Sequence, residues 1–174
     1  MSRALIVINP NSSETVTAGI DAAMAPLRAL APIRCVTLAE GPPGIEGQAE
    51  ADAVIPPLLA RAERLEAEAT GFVIACFSDP GLHALRERTA LPVAGIFEAG
   101  LTTALAYGQR VGIVAIKAAS VPRHHRYAAA MGLTARLAGS RPAGLGVAET
   151  TGADALARLA EAGRALRDHD GADV

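Results

Sequence analysis

The chain predicts an α/β fold with a mostly parallel β-sheet flanked by helices, and three observations bear on it. Apolar runs of strand length alternate with longer amphipathic stretches along all 174 residues. Hydrophobic residues make up 51% of the chain, yet aromatics only 3%, with no Trp. Small aliphatic side chains of that kind suit parallel strands covered by helices better than an antiparallel sandwich. Finally, "ALIVIN" from Ala4 and "VGIVAI" from Val111 open two strand–loop–helix units about 107 residues apart, a weak internal echo. If the echo marks two copies of one lobe, the first is residues 1–97, carrying Cys76, and the second is residues 98–174. If the echo is a true repeat, Cys76 has a counterpart near residue ~183, beyond Val174, so the second lobe reads as incomplete.

The elements follow in order. Ala4–Asn9 is a five-residue apolar run ending in Asn, a buried strand. "PNSSETVTAGIDAAMAPLRALA" is a loop and then a helix, with Asn11 and Glu14 spaced as a capping pair. Arg34–Ala39 is the second strand, and "GPPGIEG" a rigid loop whose Glu46 reads as a solvated charge. "ADAVIPPLLARAERLEAEA" is helical, with Pro56 and Pro57 either kinking it or marking its true start. "GFVIACF" (Gly71–Phe77) is the third strand, followed at once by a short helix, "DPGLHALRERTA". Pro92–Phe97 is the fourth strand, "EAGLTTALAYG" a helix, and Arg110–Ile116 the fifth strand. "ASVPRHHRYAAAMG" is a helix from Pro122 with Gly132 as its stop, and adjacent His124 and His125, which cannot share a helix face, read as exposed. "ADALARLAEAGRALRDHDG" is the last helix, and "ADV" begins a strand.

Several function classes drop out. A net charge of −2 carries no nucleic-acid footprint. Two cysteines without a CxxC or Cys/His cluster argue against zinc, so no metal is expected. No run approaches the ~18 apolar residues of a membrane span, and the N-terminus has no signal-peptide pattern, which points to a reducing cytoplasm. "NPNSS" has neither the glycines nor the lysine of a phosphate-binding loop, and no Ser-His-Asp pattern is readable.

What remains is a thiol. Ligands of open α/β sheets bind beyond the carboxyl ends of the strands. Three segments stand there: "NPNSS" (Asn9–Ser13), "CFSDPG" (Cys76–Gly81) and "AIKAAS" (Ala115–Ser120). Cys35, inside its strand, reads as a small hydrophobe. Cys76 ends its strand. Ser78 or Asp79 is placed to cap the next helix, with Pro80 in its first turn, so free N–H groups and a positive helix pole are expected beside the sulfur. Such surroundings favour a thiolate and also suit an enolate oxygen.

"INPNSS", "GIEG", "ACFSDPGL" and "PVAGIFEA", in that order along the first hundred residues, closely resemble the hydantoin/allantoin racemase family of the aspartate/glutamate racemase superfamily. The resemblance implies two α/β lobes and cofactor-independent racemisation of a hydantoin-type small molecule at its α-carbon, with one cysteine thiolate removing the proton and a second, as a thiol, returning one from the far face. It implies Cys76 as the first acid/base, with Asn11, Ser12, Phe77, Ser78 and Asp79 lining the substrate pocket. The family's second cysteine sits in a "GC" motif on the strand that "GADV" would begin, and its Thr-Thr pair after the fifth strand is Ala115–Ile116 here. A homo-oligomer is expected, since relatives commonly assemble and an unfinished sheet leaves an apolar edge. Competing readings are a superfamily decarboxylase, a cis-trans isomerase of a small dicarboxylic acid, and a lobe that binds ligand without turnover.

Overall fold

A computed structural model describes residues 3–150 and 152–174. The chain is α/β, with parallel sheets flanked by helices, and divides into two compact units. The first holds the chain up to Ile45 and Ala49–Ala99, and the second holds Glu46–Gln48 and Gly100–Val174.

The first unit is built on β1 (Ala4–Asn9), β2 (Ile33–Thr37), β3 (Ala69–Ile74) and β4 (Val93–Gly95), all parallel and ordered β2-β1-β3-β4. Central β1 is buried continuously from Ile6 to Asn9, as a parallel strand covered on both faces must be. Its helices are α1 (Glu14–Met24), α2 (Gln48–Ala53), α3 (Ile55–Leu65) and α4 (Leu82–Arg88). Pro56 and Pro57 do mark a start: they occupy the first turn of α3, where a missing N–H leaves no helical bond unmade. Leu58, Phe72, Ile6 and Ile74 close the core between sheet and helices.

The strand order has a functional consequence. From β1 the chain goes to β2 on one side and then returns to β3 on the other. The gap beyond the carboxyl ends of β1 and β3 is therefore a topological switch point, where the connecting segments diverge and leave a crevice. β1 and β3 end level, with Ile8 opposite Ile74 and Ala75 N–H donating to Ile8 O at 2.9 Å.

Two strands end early because the chain turns straight into the next element. β3 stops at Ile74, because the chain turns at once: Asp79 N–H bonds to Cys76 O and Leu82 N–H to Asp79 O. β4 stops at Gly95, and Ile96 already opens α5 (Ile96–Ala104).

The second unit pairs β5 (Val111–Ala115) in parallel with β6 (Leu137–Pro142), joined by α6 (Val121–Ala130). Gly132, at φ +73°, ends the α6 region as expected, and its N–H bonds to Ala129 O. α7 (Ala153–Asp170) packs on both strands. Arg141 forks onto Asp170 at 2.6 and 2.8 Å, and a Cβ at Gly112 would meet Leu166 and Ala172, so β5 and the end of α7 approach closely. Asp173 N–H donates to Arg110 O and Gly112 N–H to Val174 O, so the last residues run beside the start of β5. His124 corrects the sequence reading: it is buried, with Nδ1 2.9 Å from Ser140 Oγ, while His125 is exposed. Glu46 is likewise no free surface charge, since Lys117 pairs with it and Val147 N–H donates to it at 3.2 Å; both interactions hold its carboxyl below the usual range.

Candidate functional site

The loops after β1 and β3 lie side by side at the switch point. The first is organised by Asn9, the last residue of β1, which is 1% exposed. Its Nδ2 donates to Asn11 Oδ1 (2.9 Å), Ser13 O (3.2 Å) and Thr17 Oγ1 (3.0 Å), and its Oδ1 accepts from Asn11 N–H (3.2 Å). Thr17 Oγ1 lies 2.6 Å from Thr37 Oγ1, which donates to Glu14 Oε2 at 2.9 Å. One amide thus ties β1, α1 and β2 together and fixes the turn in which Asn11 sits. The expected Asn11–Glu14 cap does not form. Ser13 is the N-cap and its Oγ accepts from Val16 N–H, while Asn11 Oδ1 accepts from Ser13 N–H at 2.9 Å, closing an Asx-type turn just before the helix. Both known bonds use Oδ1, so the Asn11 amide N–H₂ has no partner among the described residues. Ser12 N–H is held by Pro42 O at 2.9 Å, and Gly41 lets the "GPPG" loop approach: a Cβ there would sit 2.3 Å from Pro10 O.

The second loop carries the thiol. Cys76 is half-buried against the first unit's core, two residues past the end of β3. Its Sγ lies 3.1 Å from Ser78 Oγ, and Ser78 is 1% exposed. The expected helix cap is again different. α4 begins at Leu82, its N-cap is Gly81 at φ 72°, and no side chain caps it. Asp79 caps another helix. At φ 41° it turns its carboxylate onto the start of α5, where Oδ1 accepts from Phe97 N–H (2.9 Å) and Oδ2 from Glu98 N–H (2.8 Å). Burial outweighs those two bonds and raises its carboxyl above the ordinary range. Gly95 makes the approach possible, since a Cβ there would fall 2.2 Å from Asp79 Cγ. Phe77 is 39% exposed and leans on buried Phe97, ring centroids 4.9 Å apart at 60°.

Of the six residues read as site residues, all lie in the two loops that follow β1 and β3, with Ser78 bonded to the Cys76 thiol and Asp79 to the start of α5. Asn9 was missed. An Asn closing an apolar strand was the available signal, because a buried amide must find partners. Cys35 sits on β2 with its thiol pushed up to about 11, by burial first and then by hydrogen bonding to Asp21. A cavity of about 270 Å³ between α3 and α4, lined by Leu59, Ala62, Phe72 and Leu85 among others, includes none of these loop residues. Among the described residues no group of three His, Cys, Asp or Glu could hold a metal ion, and no helix is long and apolar enough to cross a membrane.

The chain is similar to known proteins. A hydantoin racemase of Paenarthrobacter aurescens is 33% identical, the match covering 97% of this chain and 74% of that protein. One of Rhizobium meliloti is 36% identical over 118 residues, 67% of this chain and 49% of that protein, so the matched region is about half the relative's length. The solved allantoin racemase of Klebsiella pneumoniae superposes with a TM-score of 0.85 at 30% identity, over 98% of this chain and 71% of that one. Residues 5–174 also match the family model described as Asp/Glu/hydantoin racemase, and with that match the chain belongs to the Asp/Glu/hydantoin racemase family.

Proposed function

We propose that the protein is an isomerase that moves the hydrogen on the stereogenic carbon of a hydantoin-type small molecule, with Cys76 as an acid/base. The observation that carries this reading is the pairing, at one switch point, of a half-buried thiol with an amide whose N–H₂ has no partner among the described residues. The α-hydrogen of a hydantoin is a weak acid, and a thiolate removes it only when the ring carbonyl is polarised as the enolate forms. Asn11 Nδ2 supplies such a donor, held in place by Asn9. The Cys76 thiolate takes the proton and becomes a thiol, while the electron pair of the C–H bond becomes the C=C bond of the enolate and the carbonyl π pair moves onto oxygen. Proton return to the same face restores the starting enantiomer, and return to the opposite face gives its mirror image. Cys35 does not stand with Cys76 at the strand ends: it lies in the middle of β2, opposite Val7. Exposed Phe77 offers an apolar surface for the ring substituent. The family match and the hydantoin and allantoin racemases among its relatives support the substrate class.

The test uses a single enantiomer of a 5-substituted hydantoin in D₂O, with the α-proton signal followed by NMR and optical rotation in parallel. Cys76→Ala should slow α-deuteration by at least about 100-fold, the usual loss when a general base is removed. Deuteration at the unaltered rate in Cys76→Ala would take Cys76 out of the mechanism.

A further inference from the structure

The helix expected to stabilise the Cys76 thiolate starts six residues away, at Leu82, and spans only Leu82–Arg88. Another group is much nearer. Ser78 Oγ is 3.1 Å from Cys76 Sγ, and Ser78 is 1% exposed. We propose that Ser78 is a positioning residue whose hydroxyl donates to Cys76 and holds the sulfur in its thiolate form, ready for proton abstraction. This rests on Cys76 being the acid/base.

The reasoning is about partners. A buried hydroxyl needs an acceptor, and the sulfur is the partner Ser78 has among the described residues. A neutral thiol is a poor acceptor and a thiolate a strong one. The Ser78 bond therefore gains most when the sulfur is charged, and that gain biases the thiol–thiolate equilibrium towards the charged form. The hydroxyl sits two residues on within the same turn, which Asp79 N–H to Cys76 O closes at 3.0 Å, so the donor needs no loop movement to reach the sulfur. Proton abstraction converts the sulfur to a thiol and weakens the bond, and loss of that proton to the enolate restores it. The hydroxyl itself exchanges no proton with the substrate.

The test is the pH dependence of iodoacetamide alkylation, read by mass spectrometry at Cys76, with Cys35 as the internal control. Ser78→Ala should move the Cys76 midpoint up by about one pH unit, with roughly a tenfold slower reaction at neutral pH, while Cys35 is unchanged. Ser78→Thr, which keeps a hydroxyl, should restore most of the shift. A Ser78→Ala midpoint within about 0.3 unit of the parent, with the circular dichroism spectrum unaltered, overturns the proposal. Because alkylation needs no turnover, this result is independent of the deuteration assay: Cys76 can fail as the acid/base while Ser78 still tunes its thiol, and the reverse.

Discussion

Gly95→Ala tests the idea that Asp79, by capping α5, pins the thiol loop. The added Cβ would fall 2.2 Å from Asp79 Cγ, and 2.3 and 2.5 Å from the two carboxylate oxygens, far inside contact distance. The carboxylate must leave, and with it go the bonds to Phe97 N–H and Glu98 N–H at 2.9 and 2.8 Å. Losing a helix N-cap costs about 0.5–2 kcal/mol, and a hydrogen bond to a charged group about 1.5–3 kcal/mol. Asp79 is half-buried, so water recovers part of the loss, and about 3 kcal/mol is a reasonable figure for the pair. For a chain of this length that lowers the melting temperature by on the order of 10 °C. The assay is urea unfolding followed by far-UV circular dichroism, on the parent, Gly95→Ala, Asp79→Gly and the double variant. Asp79→Gly removes the carboxylate without asking a side chain to hold a positive φ. In its presence the three atoms nearest to the added Cβ are gone, and Gly95→Ala should cost under about 1 kcal/mol, giving strong coupling in the cycle. A parent-like midpoint for Gly95→Ala, or strictly additive losses in the double variant, would refute the reasoning.

Two further outcomes follow from the second unit. Burial, helped by the charges of Arg123 and His125, pushes the His124 imidazole down to about 4. An unfolded imidazole takes a proton near ~6.5, so the unfolded state binds more protons between those values and stability falls as pH drops from about 6.5 towards 4, by on the order of 3 kcal/mol at most. Urea midpoints across that range should show a slope that His124→Gln flattens, and an equal slope in the variant would remove His124 as its cause. Arg123 is 4% exposed, and its Nε and Nη1 have no hydrogen-bond partner among the described residues. Replacing a buried charge with an apolar side chain of similar volume is often neutral or stabilising by about 1–4 kcal/mol, so Arg123→Met should melt at or above the parent temperature by calorimetry; a clear drop would count against that view of the guanidinium.

Local signals in the sequence were legible where the structure answers to local physics. The apolar run Ala4–Asn9, the prolines opening α3 and the Gly132 stop all appear as read. The thiol at the sheet edge was legible too, from a cysteine closing an apolar run. What the sequence hid depends on contacts between distant segments. Asp79 looked like a cap for the helix beside it, but serves α5, 18 residues on, because parallel β3 and β4 bring their carboxyl ends together. β6 carries a Gly, a Ser, an Arg and a Pro, and its own pattern does not announce a strand; it is one because β5 supplies a ladder and α7 a cover. His124 was misread because an adjacent pair was judged by one helix face, while Ser140 on β6 receives one ring of the two.

The turn built by Asn9 has one more consequence. With its oxygen facing inward, Asn11 can offer incoming molecules hydrogens and nothing else. A ureide ring carries carbonyls and N–H groups in alternation around its rim, so rotating it by one atom would set hydrogen against hydrogen. Under the function proposed above, a single amide, oriented by its neighbours, would act as a polarity filter on which edge of the ring enters.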